Sequence, residues 1–274
     1  MRLYFCFLNV RQNCFVKFNL FKNTSRMKTD YCGGTDIGNV RAKNEDAFVL
    51  KEIWSGTHLL CVVVDGVGGN GGGDVAANLA CKCIADFFND SSVVTDGLES
   101  LVNAVIFANN TICSQHFIPS LSQMCCVLTA ALIDLETGKL CVAHVGDTRL
   151  YVLQNGELVQ ITKDHSYVGE LEESGQISEA EAMVHSRRNI ISRCIGQRML
   201  YDGSEYIQTH TLHLGPCTLM LCSDGLYDMV HSSQMVKILQ EPLPPNELVD
   251  KLIAAALAAG GKDNVTSIVV DLTK

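Results

Sequence analysis

Acidic residues stand where apolar runs of the sequence end, and these are the positions at which the chain could do chemistry. The acids that share this placement are Glu45, Asp46, Asp65, Asp147, Asp224 and Asp263. A carboxylate that emerges from a buried strand is costly unless it is paired, hydrogen-bonded or bound to a metal ion. Taken singly, each acid is more simply a turn former, because Asp-Gly pairs are common in turns. Several in one chain point to a shared role.

That role follows from the repulsion between carboxylates. Two adjacent strand ends can bring their acids within a few ångströms, and the like charges then require a cation. Ligands that are nearly all oxygen favour Mg²⁺ or Mn²⁺ over zinc. Two such ions bridged by a carboxylate supply a hydroxide at neutral pH and clamp a phosphoryl group. The sequence therefore predicts a binuclear metal site.

The glycine-rich run from Asp65 to Asp74 is the one feature that suggests a nucleotide phosphate loop. It lacks the Gly-Lys-Ser/Thr ending of such a loop, and its acids would repel phosphate. We interpret it as a tight turn from a strand into a helix, in which the carbonyl group of Gly66 can face a metal ion.

Short apolar runs, turns and helical spacing give the elements that must position these acids. Strands are predicted at 47–53, 59–65, 125–134, 139–145, 149–154, 158–162, 218–223 and 265–272. Helices are predicted at 74–88, from an Asp96 cap to about 115, at 233–240 and at 246–259, while residues 164–200 are polar and partly helical.

The arrangement of these elements predicts the fold class. Turn sequences between 125 and 162 indicate an antiparallel meander, and two helices lie near each end of the set of strands. We expect an α+β fold with a central β-sandwich of two antiparallel sheets flanked by helix pairs, in α-β-β-α layers. A doubly wound parallel sheet is the weaker alternative, because strands and helices do not alternate regularly.

Charge and cysteine usage exclude several classes of protein. The 274 residues carry a net charge of −9, which gives no general attraction to nucleic acid and would repel an anionic substrate without a local metal. The 13 cysteines are odd in number and many lie in apolar runs, so free thiols, a reducing compartment and no zinc site are expected. No apolar run is long enough to span a membrane.

Residues 1–26 differ from the rest of the chain. They contain five basic residues and no acid, which leaves a net charge of −14 on the remainder. Translation that starts at Met27, a transit or membrane-surface segment, and an ordered extension are the three interpretations that stay open. A secretory signal is not indicated, because the apolar stretch 3–10 is short and Asn9 interrupts it.

Six motifs in one order resemble those of a known family. They are Arg41-Ala-Lys-Asn-Glu-Asp46, Asp65-Gly-Val-Gly-Gly69, Gly146-Asp-Thr-Arg149, Thr162-Lys-Asp-His-Ser166, Cys222-Ser-Asp-Gly225 and Lys262-Asp-Asn-Val-Thr266. The sequence resembles the metal-dependent type 2C protein serine/threonine phosphatases, the PPM family, in their compact bacterial form. The resemblance implies that residues 27–274 form one phosphatase catalytic domain behind the basic leader.

The resemblance also implies roles for the acids. It implies two Mn²⁺ or Mg²⁺ ions, with Asp65 as the bridging ligand, the Gly66 carbonyl completing the second ion, and Asp224 and Asp263 on the first. Glu45 and Asp46 match the acids that hold the second ion, directly or through water. Asp147 matches the acid that, with Asp224, holds a third and weaker ion in bacterial relatives. Arg41 matches the arginine that grips the substrate phosphate.

One position departs from the animal form of the family, which has a histidine after the Asp-Gly pair. Here that residue is Val67, which has no proton to give. Our hypothesis is that water on the third ion held by Asp147 protonates the leaving oxygen. For His165 we expect local packing or hydrogen bonding and no chemical role. Residues 166–190 match a flap beside the site, in which Glu172, Arg187 and Arg188 either touch the substrate protein or lie in a solvated loop.

The implied function is hydrolysis of phosphoserine and phosphothreonine in proteins by direct attack of a metal-bridging hydroxide. The alternative is a pseudophosphatase, a regulatory binding module that keeps the fold without the reaction. The expected partners are phosphorylated proteins and, by analogy, a serine/threonine kinase and its targets. A cytoplasmic monomer without nucleic acid or a membrane span is expected.

Overall fold

The protein is a layered sandwich of two antiparallel sheets between helices. It is described by a computed structural model that covers residues 28–67, 72–90, 96–202 and 205–272. The basic leader, residues 1–26, lies outside the described residues. The strands are β1 (Asp30–Asp36), β2 (Asp46–Ile53), β3 (His58–Val67), β4 (Cys125–Asp134), β5 (Lys139–Val145), β6 (Arg149–Gln154), β7 (Glu157–Gln160), β8 (Gln208–His213), β9 (Thr218–Cys222) and β10 (Val265–Asp271).

Two pairs of helices cover the outer faces of the sheets, and shorter helices stand near the strand ends. The helices are α1 (Gly73–Asp90), α2 (Gly97–Cys113), α3 (Tyr167–Glu173), α4 (Glu179–Ala182), α5 (Asp224–Tyr227), α6 (Ser232–Leu239) and α7 (Pro245–Ala258). The Asp96 carboxylate accepts a hydrogen bond of 2.8 Å from the backbone N–H of Leu98, so the predicted cap of α2 is confirmed.

The strand order explains which side chains form the core. One sheet has the order β1-β10-β9-β6-β7 and the other β2-β3-β4-β5-β8, and all their pairings are antiparallel. In β3, Leu59, Cys61 and Val63 face the other sheet, whereas Leu60 and Val62 face α1 and α2. A strand that is apolar on both faces must be central, as the sequence predicted. The pair α6 and α7 packs on the outside of the first sheet.

The predicted fold class is confirmed, and the predicted meander is wrong in one respect. Strands β4 and β5 form a hairpin in one sheet, while β6 and β7 form a hairpin in the other. The connection between the hairpins crosses from sheet to sheet at Gly146, whose φ is +111°. A Cβ atom there would lie 2.1 Å from Val127, so glycine is required. This crossover carries Asp147 to the end of the sandwich.

Two strands, β1 and β8, were not predicted from the sequence. Strand β1 contains Gly33 and Gly34, which lie against Phe48 and Val249 so closely that a Cβ atom would meet them at 2.8 and 2.9 Å. Strand β8 is an edge strand whose residues are mostly polar and partly exposed. Neither has the apolar alternation that identifies a strand in a sequence, because packing and pairing define both.

Candidate metal centre and active site

The register of two strands brings the first acids together. Asp46, the first residue of β2, is directly paired with Asp65 near the end of β3. The backbone N–H of Gly66 donates to the carbonyl oxygen of Glu45 at 3.1 Å. Four of the predicted ligands therefore lie beside each other at one end of this strand pair.

Asp46 is also held from the opposite sheet. Its Oδ2 atom accepts hydrogen bonds from Ser223 Oγ at 2.6 Å and from Thr266 Oγ1 at 2.7 Å. Ser223 follows β9 and Thr266 lies in β10, so these bonds tie the two sheets together at the site. Both residues stand inside the motifs of the sequence, but their role as partners of Asp46 was not predicted.

Close backbone packing brings Asp224 and Asp263 to the same place. A Cβ atom on Gly225 would lie 1.9 Å from the carbonyl oxygen of Asn264, so only glycine allows the two segments to approach. The Asn264 side chain accepts from the N–H of Glu45 at 2.8 Å and donates to the carbonyl oxygens of Ile37 and Lys43. The hydrogen bonds of Asn264 therefore fix the loop before β2 against the start of β10.

Two oxygen atoms of predicted ligands come together beside Gly73. A Cβ atom on Gly73 would lie 2.8 Å from the carbonyl oxygen of Gly66 and 3.0 Å from Oε1 of Glu45. The two oxygen atoms therefore face one point that a side chain would fill. The Gly66 carbonyl and the Glu45 carboxylate are two of the groups that the resemblance assigns to the second ion, together with Asp46.

Burial and mutual repulsion dominate the electrostatics of the cluster. Burial, and then the charges of Asp46, Asp224, Asp147 and Asp263, raise the pKa of Asp65 well above its ordinary value. Burial, and then the charges of Asp147 and Asp263, raise the pKa of Asp224 well above its ordinary value. Burial raises the pKa of Asp46 to about 6, although Ser223 and Thr266 act to lower it. Buried acids that resist ionisation in this way call for a cation.

Asp147 lies at the edge of the same cluster. Burial, followed by the charge of Asp164, raises its pKa to about 7. Its backbone carbonyl oxygen accepts a hydrogen bond of 3.0 Å from the Tyr227 hydroxyl. His165 Nδ1 accepts from the N–H of Gly146 at 3.0 Å, and burial lowers the pKa of His165 to about 3. The local hydrogen-bonding role expected for His165 is confirmed.

Arg41 reaches the cluster from the loop before β2. Its Nη2 atom donates to Oδ2 of Asp263 at 2.6 Å, with the arginine side chain 45% exposed and the aspartate 28% exposed. Burial acts to lower the pKa of Arg41, but the hydrogen bond and charge of Asp263 and the charges of Asp224 and Asp65 raise it above its ordinary value. The guanidinium group therefore lies at the solvent side of the acids.

The residues fit divalent ions in chemical type, although the side chains are turned to protein partners. In the described part of the chain, no three acidic, histidine or cysteine side chains could hold an ion as they stand. Arg41 donates a hydrogen bond to the Asp263 carboxylate, and two hydroxyl groups donate to the Asp46 carboxylate. The all-oxygen donor set, the space between Gly66 and Glu45 and the uncompensated negative charge nevertheless suit Mg²⁺ or Mn²⁺.

Comparison with known proteins decides the family. The sequence profile described as "Protein phosphatase 2C" matches residues 31–265, which is most of the chain. The chain belongs to the protein phosphatase 2C family.

Named relatives and solved structures agree with this membership. This phosphatase 2C family member is 34% identical over 250 residues to "Serine/threonine phosphatase stp" of Listeria monocytogenes, a match that covers 88% of this chain and 95% of that protein. It is 37% identical over 245 residues to "Serine/threonine protein phosphatase PstP" of Mycobacterium tuberculosis, covering 88% of this chain and 45% of PstP.

Solved structures of PstP superpose on most of this family member. The Mycobacterium tuberculosis PstP structure has a TM-score of 0.78 at 34% identity, covering 90% of this chain and 99% of that one. A structure of the PstP catalytic domain in complex with two manganese ions has a TM-score of 0.77 at 33% identity, with the same coverage.

The flap of this phosphatase 2C family member is tied to the body by ion pairs that the sequence did not reveal. Arg149 is buried and donates to both carboxylate oxygens of Asp164, with the shortest distance 2.7 Å. The same guanidinium group lies 3.4 Å from Glu172 of α3 and stacks on the Tyr227 ring at 3.7 Å. The flap side chain of Glu172 is therefore linked, through Arg149 and Tyr227, to Asp147.

The other two flap residues have separate positions. Arg188 Nε donates to Asp228 at 2.9 Å, which holds the end of the flap on the body. The Arg187 guanidinium lies 5.3 Å from the centre of the Tyr167 ring and the residue is exposed.

None of the helices in the described ranges combines the length and the hydropathy that a membrane span requires.

Proposed function

We propose that the chain is a metal-dependent protein serine/threonine phosphatase that hydrolyses phosphoserine and phosphothreonine in proteins. The observation that carries the proposal is the convergence of buried aspartates from both sheets beside Arg41, at the end of a phosphatase 2C fold. Relatives named serine/threonine phosphatase, which this chain matches over most of its length, support the same activity. The absence of a Cys-x5-Arg motif argues against a thiol phosphatase.

The residues proposed to hold two ions are Glu45, Asp46, Asp65, the Gly66 carbonyl, Asp224 and Asp263. Bound Mn²⁺ or Mg²⁺ supplies a Lewis acid that polarises the phosphoryl group and lowers the pKa of water, so that a nucleophile is available at neutral pH. The similar PstP catalytic domain was solved in complex with two manganese ions, which supports two ions in this chain. We keep Asp147, with Asp224, as the proposed holder of a third and weaker ion.

Arg41 is proposed to bind and orient the substrate phosphate. A guanidinium group offers two parallel N–H donors that match two phosphoryl oxygens. Arg41 is half-exposed and already pairs with an anionic oxygen of Asp263, so its position suits a phosphate at the mouth of the site. The substrate phosphate would replace that carboxylate as the partner of the guanidinium group.

Asp147 is proposed to supply the protonation of the leaving oxygen. Residue 67 is a valine whose side chain packs against Cys125, Val127 and Cys194, so it offers no proton. The backbone carbonyl oxygen of Asp147 accepts from Tyr227, whose ring lies under the guanidinium group of Arg149, so this acid is held in place beside the cluster. The leaving serine or threonine oxygen needs a proton because an alkoxide is a poor leaving group.

We further propose a cytoplasmic location and, as partners, a serine/threonine kinase and the proteins that it phosphorylates. All cysteines in the described ranges are free thiols, and most are buried, which suits a reducing compartment. We also propose a monomeric state.

The test is Mn²⁺-dependent hydrolysis of a phosphothreonine peptide by the wild-type protein and by Asp224→Asn. We expect turnover that requires Mn²⁺ and is lost in Asp224→Asn, because this substitution removes a carboxylate from the centre of the cluster. Asp250→Asn, at an exposed site on α7, is the matched control and should keep full activity. A folded wild-type protein with no metal-dependent turnover would favour the pseudophosphatase.

A further inference from the structure

A basic surface borders the site, and we propose that it docks acidic residues that flank the phosphorylated serine or threonine of the substrate protein. The inference rests on the proposed phosphatase function and names the class of substrate. We define the basic rim as residues 183–201. It contains four arginines, His185 and no acid, in a chain whose net charge is −9.

The basic rim lies against the active site. The backbone N–H of Ser192 donates to the carbonyl oxygen of His165 at 2.7 Å. The backbone N–H of His165 in turn donates to the carbonyl oxygen of Gly146 at 2.6 Å. Gly146 directly precedes Asp147. Ile191 packs in one apolar cluster with Val67, the residue after Gly66. Residues 191 and 192 of the rim therefore lie beside the segments that carry Gly66 and Asp147, within reach of a peptide bound at the site.

Two arginines of the rim lie over an aromatic ring, whereas Arg188 is paired with Asp228. The Arg198 guanidinium lies 4.6 Å from the centre of the Tyr206 ring, and that of Arg193 lies 6.0 Å from it. Arg193 also donates to the backbone carbonyl oxygens of Glu205 and Tyr206. Stacking on a ring leaves the edge of a guanidinium group free to donate hydrogen bonds to a carboxylate. Preorganised cations of this kind suit acidic side chains.

Apolar side chains accompany these charges. Val184 is 79% exposed, Ile190 52% and Tyr201 94%. A mixture of arginine, tyrosine and exposed aliphatic side chains is typical of surfaces that bind proteins. The sign of the charge selects the partner, because an acidic peptide is attracted to the rim, whereas the rest of the body repels it.

The experiment compares three phosphothreonine peptides of one length in the presence of Mn²⁺. One carries aspartates before the phosphothreonine, one carries them after it, and one has alanine on both sides. For the wild-type protein we expect kcat/KM to be about fivefold higher on one of the acidic peptides, the effect of two or three exposed charge pairs. This preference should disappear in 0.5 M NaCl, because salt screens exposed charges.

The variant Arg187→Glu/Arg198→Glu reverses the charge of two exposed arginines. It should remove or invert the preference and leave turnover of p-nitrophenyl phosphate unchanged, because that substrate has no flanking residues. The matched control is Lys237→Glu/Lys251→Glu, which makes the same change of charge outside the rim. These lysines lie on α6 and α7, which pack on the sheet that contains β9 and β10. The control should keep the preference.

The outcomes separate the two proposals. Equal kcat/KM on the three peptides, or a preference that survives reversal of the arginines, would overturn the docking surface while turnover still upholds the phosphatase. Absence of Mn²⁺-dependent turnover on p-nitrophenyl phosphate and on every peptide would instead overturn the phosphatase function.

Discussion

Replacing Asp46 by asparagine should stabilise the metal-free protein, although it removes a predicted metal ligand. Asp46 is 7% exposed, and it faces Asp65 across a strand pair. Asparagine has the same shape and keeps an oxygen atom that can accept from Ser223 and Thr266, the present partners of the carboxylate. What the substitution removes is the negative charge.

The size of the effect follows from the pKa of about 6, raised by burial from an ordinary 3.8. A raised pKa means that the folded protein holds this proton more tightly than the unfolded chain does. Ionisation therefore has no effect on stability well below pH 3.8, destabilises the fold increasingly between pH 3.8 and 6, and has its full effect above pH 6. At 1.36 kcal/mol per pH unit, the full effect is about 3 kcal/mol. At pH 5 roughly half of it is present.

The assay is thermal unfolding in EDTA at pH 5 and pH 8. Asp46→Asn should raise Tm above the wild type by about 6 to 12 °C at pH 8, and by about half as much at pH 5. Adding Mn²⁺ should stabilise the wild type more than the variant, because the variant lacks one of the proposed ligands. Asp250→Asn should match the wild type throughout. A variant no more stable than the wild type at pH 8, or an equal gain at both pH values, would refute the reasoning.

Three further substitutions test the site. Gly66→Ala should lower Tm and weaken activation by Mn²⁺, because a Cβ atom would lie 2.3 Å from the carbonyl oxygen of Gly73; an unchanged melting curve would contradict this contact. Arg41→Ala should raise KM for a phosphopeptide about tenfold or more, with little change in Tm because the side chain is half-exposed. Asp147→Ala should slow phosphoserine hydrolysis about 100-fold but p-nitrophenyl phosphate hydrolysis much less, because p-nitrophenolate leaves without a proton. Equal losses on both substrates would contradict a role in protonation.

The positions of the acids could be predicted from the sequence because they depend on backbone patterns. Apolar runs identify strands, and an antiparallel sandwich gathers alternate strand ends at one end of the molecule. Asp65 and Asp224 stand where β3 and β9 end, so their proximity follows from the fold class alone. Asp147 depends on more, since the prediction placed it within one meander. Its position follows from the crossover at Gly146, which only the contact with Val127 explains.

The supporting residues could not be predicted because their partners are distant in the chain. Arg149 and Asp164 are 15 residues apart, and both side chains are buried in the folded protein. In the sequence they resemble ordinary surface charges. Asn264, just before β10, bonds to Glu45 in the loop before β2, which is 219 residues away in the sequence. Burial and long-range hydrogen bonds of this kind exist only after the sheets have packed, so no local pattern announces them.

The difference between the backbone and the side chains of the site has one physical cause. Strand register and glycine contacts fix where the acids begin, as the pair Asp46 and Asp65 shows. The side-chain torsions instead follow the charge that is available to neutralise each carboxylate. Arg41 is that charge for Asp263, and hydroxyl donors serve Asp46. A divalent ion would offer stronger neutralisation than either, so we expect the carboxylates to turn toward it while the strand register stays the same.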